Sequence, residues 1–168
     1  MRRLQEASSV GVRYQPRWQG MTATLVAAEI REDSAVIYHV GDSPAWLIRG
    51  STAQRLTRDH TILERLIDEG ELTREEAGGL ATIYDGLDRY FAAFPDEEPP
   101  QHDEYIVALV PGDILILATD GLSTLSPEMI ASAVSDDLEA MGKDLFQKAV
   151  AEGSDDNISV ILLRSNAV

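Results

Sequence analysis

The sequence contains no cysteine in 168 residues, and this absence restricts the sites it can build. Disulfide bonds and thiolate metal sites are excluded. A metal ion would have to be held by oxygen atoms or by the three histidines, His39, His60 and His102. Oxygen ligands favour hard cations, so Mg²⁺ or Mn²⁺ is the expected kind of metal.

The sequence also lacks long apolar runs. The basic opening MRRLQEASS is not followed by the apolar region of a signal peptide. No stretch approaches the roughly 20 apolar residues that a membrane span needs. We therefore expect a cytoplasmic protein without membrane partners, folded as one domain over residues 1–168, because 44% hydrophobic and 26% charged residues are ordinary globular values.

Positive charge is scarce, with 14 Lys and Arg against 29 Asp and Glu and a net charge of −15. Nucleic acid is therefore not an expected partner, because binding phosphate backbones requires clustered basic residues. The imbalance is strongest in residues 91–168, which carry 15 acidic residues and only Lys143, Lys148 and Arg164 as bases. Most of these acids are expected to form a solvated surface.

Four β-type runs, at 22–30, 35–50, 104–121 and 157–164, are bounded by Gly, Asp, Asn or Pro. Gly-Asp sequences at 41–42 and 112–113 divide two of these runs and predict two hairpins with antiparallel strands. Helix starts are predicted at Thr61, Thr73 and Ser126-Pro127, with Glu64 and Glu76 completing capping boxes. A last helix should end at Gly153, the first at Gly70, and residues 94–104 read as a loop.

Three aspartates lie where an apolar strand begins or ends: Asp42, Asp120 and Asp156. A buried ionised carboxylate is costly unless a cation or hydrogen-bond donors meet it, so the end of the strand before Asp120 raises the question of its partner. Each aspartate also has a structural explanation. Asp42 and Asp156 suit turns, and Asp120 suits the cap of a short helix.

Five stretches taken together resemble the metal-dependent serine/threonine phosphatases, the type 2C or PPM family, in their bacterial form. They are MTATLVAAEI, VGDSPAWLIRG, LTRDHT, VPGDILILATDGLS and DDNISVILL, in family order from about residue 20 to 164. The resemblance implies an α+β fold, an α-β-β-α sandwich of two antiparallel sheets flanked by helices. It also implies that Asp120 and Asp156 are metal ligands of a binuclear Mg²⁺ or Mn²⁺ centre and that Asp42 binds a weaker third ion.

The chemistry implied by the resemblance is hydrolysis of phosphoserine or phosphothreonine in proteins by metal-activated water, without a covalent intermediate. No side chain is assigned a catalytic role. His39 and His60 could serve as general acids, but a packed side chain for His39 and a backbone bond at a turn for His60 are the plainer interpretations.

The sequence departs from the family at its start. It lacks the strand with a phosphate-binding Arg and the Asp-Gly-x-Gly-Gly turn whose aspartate bridges two metals, and it has Pro44 where the family has Arg. We therefore expect a sandwich that is incomplete at the N-terminus. The chain is either a truncated, weakly active phosphatase or an inactive phosphatase-like module for binding or regulation; an unrelated acidic Ca²⁺-binding protein would leave the ordered motifs to coincidence.

The resemblance implies a phosphorylated protein, the product of a Ser/Thr kinase, as the substrate. Missing strands would also leave sheet edges uncovered, which favours self-association.

Overall fold

The computed structural model describes residues 1–80, 83–84, 86–94 and 98–166. Within them the α-helices are α1 Arg2–Tyr14, α2 Ile62–Asp68, α3 Arg74–Ala77, α4 Pro127–Ser132 and α5 Leu138–Ala151. The strands are β1 Thr22–Ala23, β2 Leu25–Ile30, β3 Ser34–Val40, β4 Ala45–Arg49, β5 Thr52–Arg55, β6 Phe91–Ala92, β7 Asp103–Ala108, β8 Ile114–Ala118 and β9 Val160–Arg164. Short 3-10 helices cover Pro16–Trp18 and Asp120–Leu122. None of the described helices is long and apolar enough to cross a bilayer.

The chain divides into two compact units, each assembled from separate segments. The first contains Met1–Leu25, His39–Asp42 and Asp59–Asp103. The second contains Val26–Tyr38, Ser43–Arg58 and the chain from Glu104 on. The single domain over residues 1–168 stays a prediction from the sequence.

The polar residues predicted to start helices do so. Thr61, Thr73 and Ser126 each accept a hydrogen bond at 3.3 Å from the backbone N–H three residues further on, at the starts of α2, α3 and α4. The Glu76 carboxylate completes the capping box at Thr73. Gly70 follows α2 with a φ of +73°, a conformation that suits glycine and ends the helix as predicted.

The second unit contains a four-stranded antiparallel sheet in the order β5-β4-β8-β9. Helices α4 and α5 cover one face, where Ile116 of β8 packs with Met141 and Leu145 of α5, all fully buried. The opposite face packs Leu115 of β8 against Ile37 of β3, which belongs to a second sheet in the order β2-β3-β7. This unit therefore has three layers, helix, sheet and sheet, which explains why β8 is apolar at successive positions.

The two predicted hairpins are wrong. β3 and β4, which flank Gly41-Asp42, lie in different sheets, and so do β7 and β8, which flank Gly112-Asp113. Instead β4 pairs with β8, with Trp46 opposite Ile116. A Gly-Asp turn is compatible either with a hairpin or with a crossing between stacked sheets, and burial of both faces of β4 and β8 decides between them.

Two other predicted segments also differ in detail. The run 22–30 is two strands rather than one, because β1 pairs with β6 through Thr22 and Ala92 while β2 joins β3. Of the predicted loop at 94–104, residues 95–97 lie outside the described residues, 98–102 have neither helix nor strand, and β7 starts at Asp103.

Asp113, the aspartate of the second Gly-Asp sequence, has a structural role. It is 1% exposed, and its carboxylate accepts two hydrogen bonds from the Arg49 guanidinium at 2.9 and 2.7 Å. The Val110 N–H also donates to it at 2.8 Å. The Arg49 hydrogen bonds lower the pKa of Asp113, so the buried carboxylate is ionised and paired.

Replacing Asp113 with Asn should destabilise the protein by about 2–4 kcal/mol at pH 7, because Arg49 loses its anionic partner. A lowered folded-state pKa stabilises the fold above the ordinary carboxyl pKa and loses that effect as pH falls through the folded value. The difference between wild type and Asp113→Asn, measured by urea unfolding, should therefore shrink below about pH 4. Lys143→Ala, which breaks the exposed pair with Glu139, should cost less than about 0.5 kcal/mol. A pH-independent difference at Asp113 would contradict the assignment.

Candidate metal-binding site

Asp120 lies just beyond the end of β8, at the start of a 3-10 helix, with its side chain exposed. The residue before it attaches this turn to the segment entering β9. Thr119 N–H donates to the Ser159 carbonyl at 3.0 Å, and the Thr119 hydroxyl donates to the Asn157 carbonyl at 3.0 Å. β8 is buried as expected, but Asp120 itself is in contact with solvent, so its charge carries no burial cost and its oxygens are accessible.

Asp156 precedes β9 and is also exposed. Its Oδ1 accepts the Asn157 N–H at 2.6 Å, and the nearby Ser154 hydroxyl donates to the Gly121 carbonyl at 2.7 Å. A Cβ on Gly121 would lie 2.7 Å from the Asn157 carbonyl oxygen, so only glycine permits this close approach of the two backbones. Because β8 and β9 are antiparallel neighbours, Asp120 and Asp156 lie at the same end of the sheet.

Asp42 belongs to the first compact unit. It follows β3 directly after Gly41, and it is partly buried. Across the described residues, no group of three His, Asp or Glu side chains is close enough to hold a metal ion. The structure therefore brings the segments of Asp120 and Asp156 together but contains no ready-made three-carboxylate centre in the part of the chain it describes.

His39 and His60 are buried in the first unit, at 0% and 3% exposure, with their ring centroids 4.7 Å apart. Burial lowers the pKa of His60, so its neutral form is favoured. The His60 Nδ1 accepts the Gly41 N–H at 3.1 Å, which is the backbone bond at a turn that the sequence allowed. His102, the third histidine, is partly buried.

Sequence reasoning singled out the aspartates but missed the residues that hold their turns. Thr119 and Ser154 bond to backbone groups of the opposite segment 38 and 33 residues away. Hydroxyl residues beside Asp120 and Asp156 were the available signal. Nothing local shows which carbonyl across the sheet a hydroxyl will reach.

No family model matches the chain. Its sequence is 33% identical over 152 residues to the protein phosphatase PhpP of Streptococcus pneumoniae, covering 89% of the chain and 60% of PhpP. The crystal structure of the serine/threonine phosphatase Stp1 from Staphylococcus aureus superposes with a TM-score of 0.84 at 26% identity, covering 99% of this chain and 65% of Stp1. The catalytic domain of the phosphatase PstP in complex with two manganese ions gives a TM-score of 0.72 at 29% identity, covering 94% of this chain and 65% of that one.

The mixed helices and antiparallel sheets, with aspartates at the ends of β8 and β9, thus define an α+β fold of the protein phosphatase class. In sequence and in fold the chain is similar to bacterial serine/threonine phosphatases of the PPM type. It spans about 60% of the length of the curated relatives that it matches.

Proposed function

We propose that this chain forms part of a metal-dependent phosphatase that removes phosphate from phosphoserine and phosphothreonine in proteins. The observation that carries the proposal is the placement of Asp120 and Asp156 at one end of the paired strands β8 and β9. The likeness to PhpP and Stp1 in sequence and fold supports it.

The carboxylate oxygens present are of the chemical type that a hard cation binds. Among the described residues, however, fewer than three such side chains come together at one place. Asp120 and Asp156 offer exposed carboxylate oxygens of the kind that Mg²⁺ and Mn²⁺ bind. We propose that they would hold one ion and that Asp42 would bind a weaker additional ion, with two or three ions in a complete domain. When bound, such ions supply an acidified water and neutralise charge on the phosphoryl group.

The chain's own contribution is to hold these ligands in place. Rigid ligands lower the cost of arranging charge around a phosphoryl group during transfer. The Thr119 and Ser154 bonds join the Asp120 turn to the segment around Asp156, so both carboxylates are carried by one hydrogen-bonded unit. Pro44 stands where the family has a cationic Arg, and its role here is structural. It is buried, and its carbonyl accepts the Ala118 N–H at 3.0 Å.

A second candidate is a phosphatase-like binding or regulatory module without catalysis. The absence of three convergent donors among the described residues favours this alternative for the chain by itself. The two candidates differ in whether added sequence restores turnover.

Partners follow from the same proposal. The substrate would be a phosphoprotein made by a Ser/Thr kinase, and the cytoplasmic location stays a prediction from the sequence. Self-association through a sheet edge also stays a prediction. It is compatible with β9, which ends its sheet in the described residues and exposes Ile161 to 66%.

Asp120→Asn should abolish the tighter Mn²⁺ binding of the 168-residue chain and leave only the weaker binding proposed for Asp42, because the substitution removes a carboxylate from a hard-cation site. The melting temperature without metal should stay unchanged, because the lost carboxylate is exposed. Titration calorimetry with Mn²⁺ measures the binding. Asp136 is another exposed aspartate in the acidic half, so Asp136→Asn is the matched control and should bind Mn²⁺ as wild type does. Equal Mn²⁺ affinity in wild type and Asp120→Asn would overturn the ligand assignment.

A further inference from the structure

His60 is bonded to one glycine from two sides. It is 3% exposed and lies just before Thr61, the N-cap of α2. Its backbone N–H donates to the Gly41 carbonyl at 2.8 Å, and its ring Nδ1 accepts the Gly41 N–H at 3.1 Å. Both polar backbone groups of Gly41 therefore have the same partner residue.

Gly41 needs an external restraint because it has no side chain to restrain its own backbone. Its φ is +105°, outside the range that other L-residues readily adopt. A Cβ at this position would lie 2.3 Å from the Thr24 Cγ2, so the space is closed to any other residue. The dihedral angles of Gly41 set the direction in which the next residue, Asp42, leaves β3.

The His60 side chain is itself held in place. Its Nε2 lies 3.3 Å from a carboxylate oxygen of Asp103, an electrostatic contact and not a well-aligned hydrogen bond. The other Asp103 oxygen accepts from the Arg89 guanidinium at 3.0 Å. The His60 carbonyl accepts the Asp88 N–H at 2.8 Å, and the His39 ring packs against the His60 ring. An N–H facing Nδ1 and a carboxylate beside Nε2 select the tautomer protonated at Nε2.

We propose that His60 is a positioning residue, which fixes the Gly41 turn through its backbone N–H and its Nδ1 and thereby orients Asp42 toward a divalent cation. The proposal rests on the function proposed above for the cation at Asp42. His60 has no proton-transfer role in it, because the Nδ1 lone pair is used by the Gly41 N–H and Nε2 is buried beside Asp103. Residues that orient metal ligands from outside the coordination shell commonly change metal affinity by about 10–100-fold.

Two substitutions at His60 separate the ring acceptor from the bulk of the side chain. In His60→Asn, the amide oxygen takes a position close to that of Nδ1 and can still accept the Gly41 N–H. In His60→Leu, a side chain of similar volume has no acceptor. The backbone bond from residue 60 to Gly41 is available in both variants.

The experiment uses the full 168-residue chain and NMR, with Mn²⁺ alone as the probe. In wild type, ¹⁵N shifts of the His60 ring should show protonation at Nε2. Hydrogen exchange at the Gly41 amide should be about tenfold faster in His60→Leu and close to wild type in His60→Asn. The Mn²⁺ concentration needed to broaden the Asp42 amide resonance should rise about tenfold in His60→Leu. The Mn²⁺ concentration that broadens the Asp120 amide resonance should stay the same.

A ring protonated at Nδ1, or unchanged Gly41 exchange in His60→Leu, overturns the positioning role. If His60→Leu does not fold, the tautomer in wild type and the exchange in His60→Asn decide the question. Absence of Mn²⁺ broadening at Asp42 in wild type overturns the metal role of Asp42, and with it the purpose of the restraint. That outcome is distinguishable from a failure at His60, since Gly41 exchange is measured without metal.

Discussion

Joining an N-terminal segment with a phosphate-binding Arg strand and an Asp-Gly-x-Gly-Gly turn ahead of Gln19 should raise Mn²⁺-dependent hydrolysis of a phosphothreonine peptide by about three orders of magnitude or more. By the resemblance to the phosphatase family, the segment would supply a carboxylate that bridges two ions and a cation for the phosphate. The 168 residues span about 60% of the length of the curated relatives that they match. Initial rates of phosphate release from the peptide measure the gain.

The same fusion with Asp→Asn in its Asp-Gly-x-Gly-Gly turn is the matched control and should remain at the rate of the unfused chain. Asp120→Asn or Asp156→Asn in the fusion should each remove the gain, because the ion that we propose they hold would be lost. A folded, metal-binding fusion without turnover would favour the regulatory module. Turnover by the unfused chain that disappears in Asp120→Asn would contradict the need for added sequence.

Gly41→Ala should destabilise the protein by about 3–5 kcal/mol, a large part of the total stability of a domain. Two effects combine at this position. The φ of +105° is unfavourable for alanine. In addition, the new methyl group would lie 2.3 Å from Thr24 Cγ2 and 2.6 Å from Thr24 Cβ, which cannot be relieved by turning the side chain.

Gly112→Ala provides the control for Gly41→Ala. Gly112 has a comparable φ of +91°, but nothing lies within 4 Å of the position its Cβ would take. It should therefore show the backbone effect alone, about 1–2 kcal/mol. Urea unfolding of both variants measures the difference, and equal destabilisation would show that the contact with Thr24 does not restrict this turn.

Local features of the fold were predictable because they depend on neighbouring residues. Thr61, Thr73 and Ser126 accept hydrogen bonds from N–H groups three residues away, so the sequence around each one contains the complete signal for a helix start. The apolar run that became β8 was equally plain, since both faces of that strand are buried.

Strand pairing was not predictable in the same way. Gly41-Asp42 and Gly112-Asp113 looked like hairpin turns, yet each carries the chain to the other sheet. The choice between a hairpin and a crossing depends on which faces of β4 and β8 become buried against helices and against the second sheet. That burial involves residues about 70 positions apart in the chain. Trp46 of β4 and Ile116 of β8, for example, lie directly opposite each other in the sheet.

The candidate site shows the same difference between what neighbouring residues determine and what the packing of distant segments determines. The sequence alone predicted which aspartates could be ligands and which hard cations would suit them, because a carboxylate at the end of an apolar strand is visible in the order of residues. Only the tertiary structure showed that Asp120 is exposed, that Thr119 ties its turn to Asn157, and that His60 holds Gly41. Ligand identity is a property of single residues, whereas ligand orientation depends on hydrogen bonds between segments far apart in the chain, and those form only when the sheets and helices have packed.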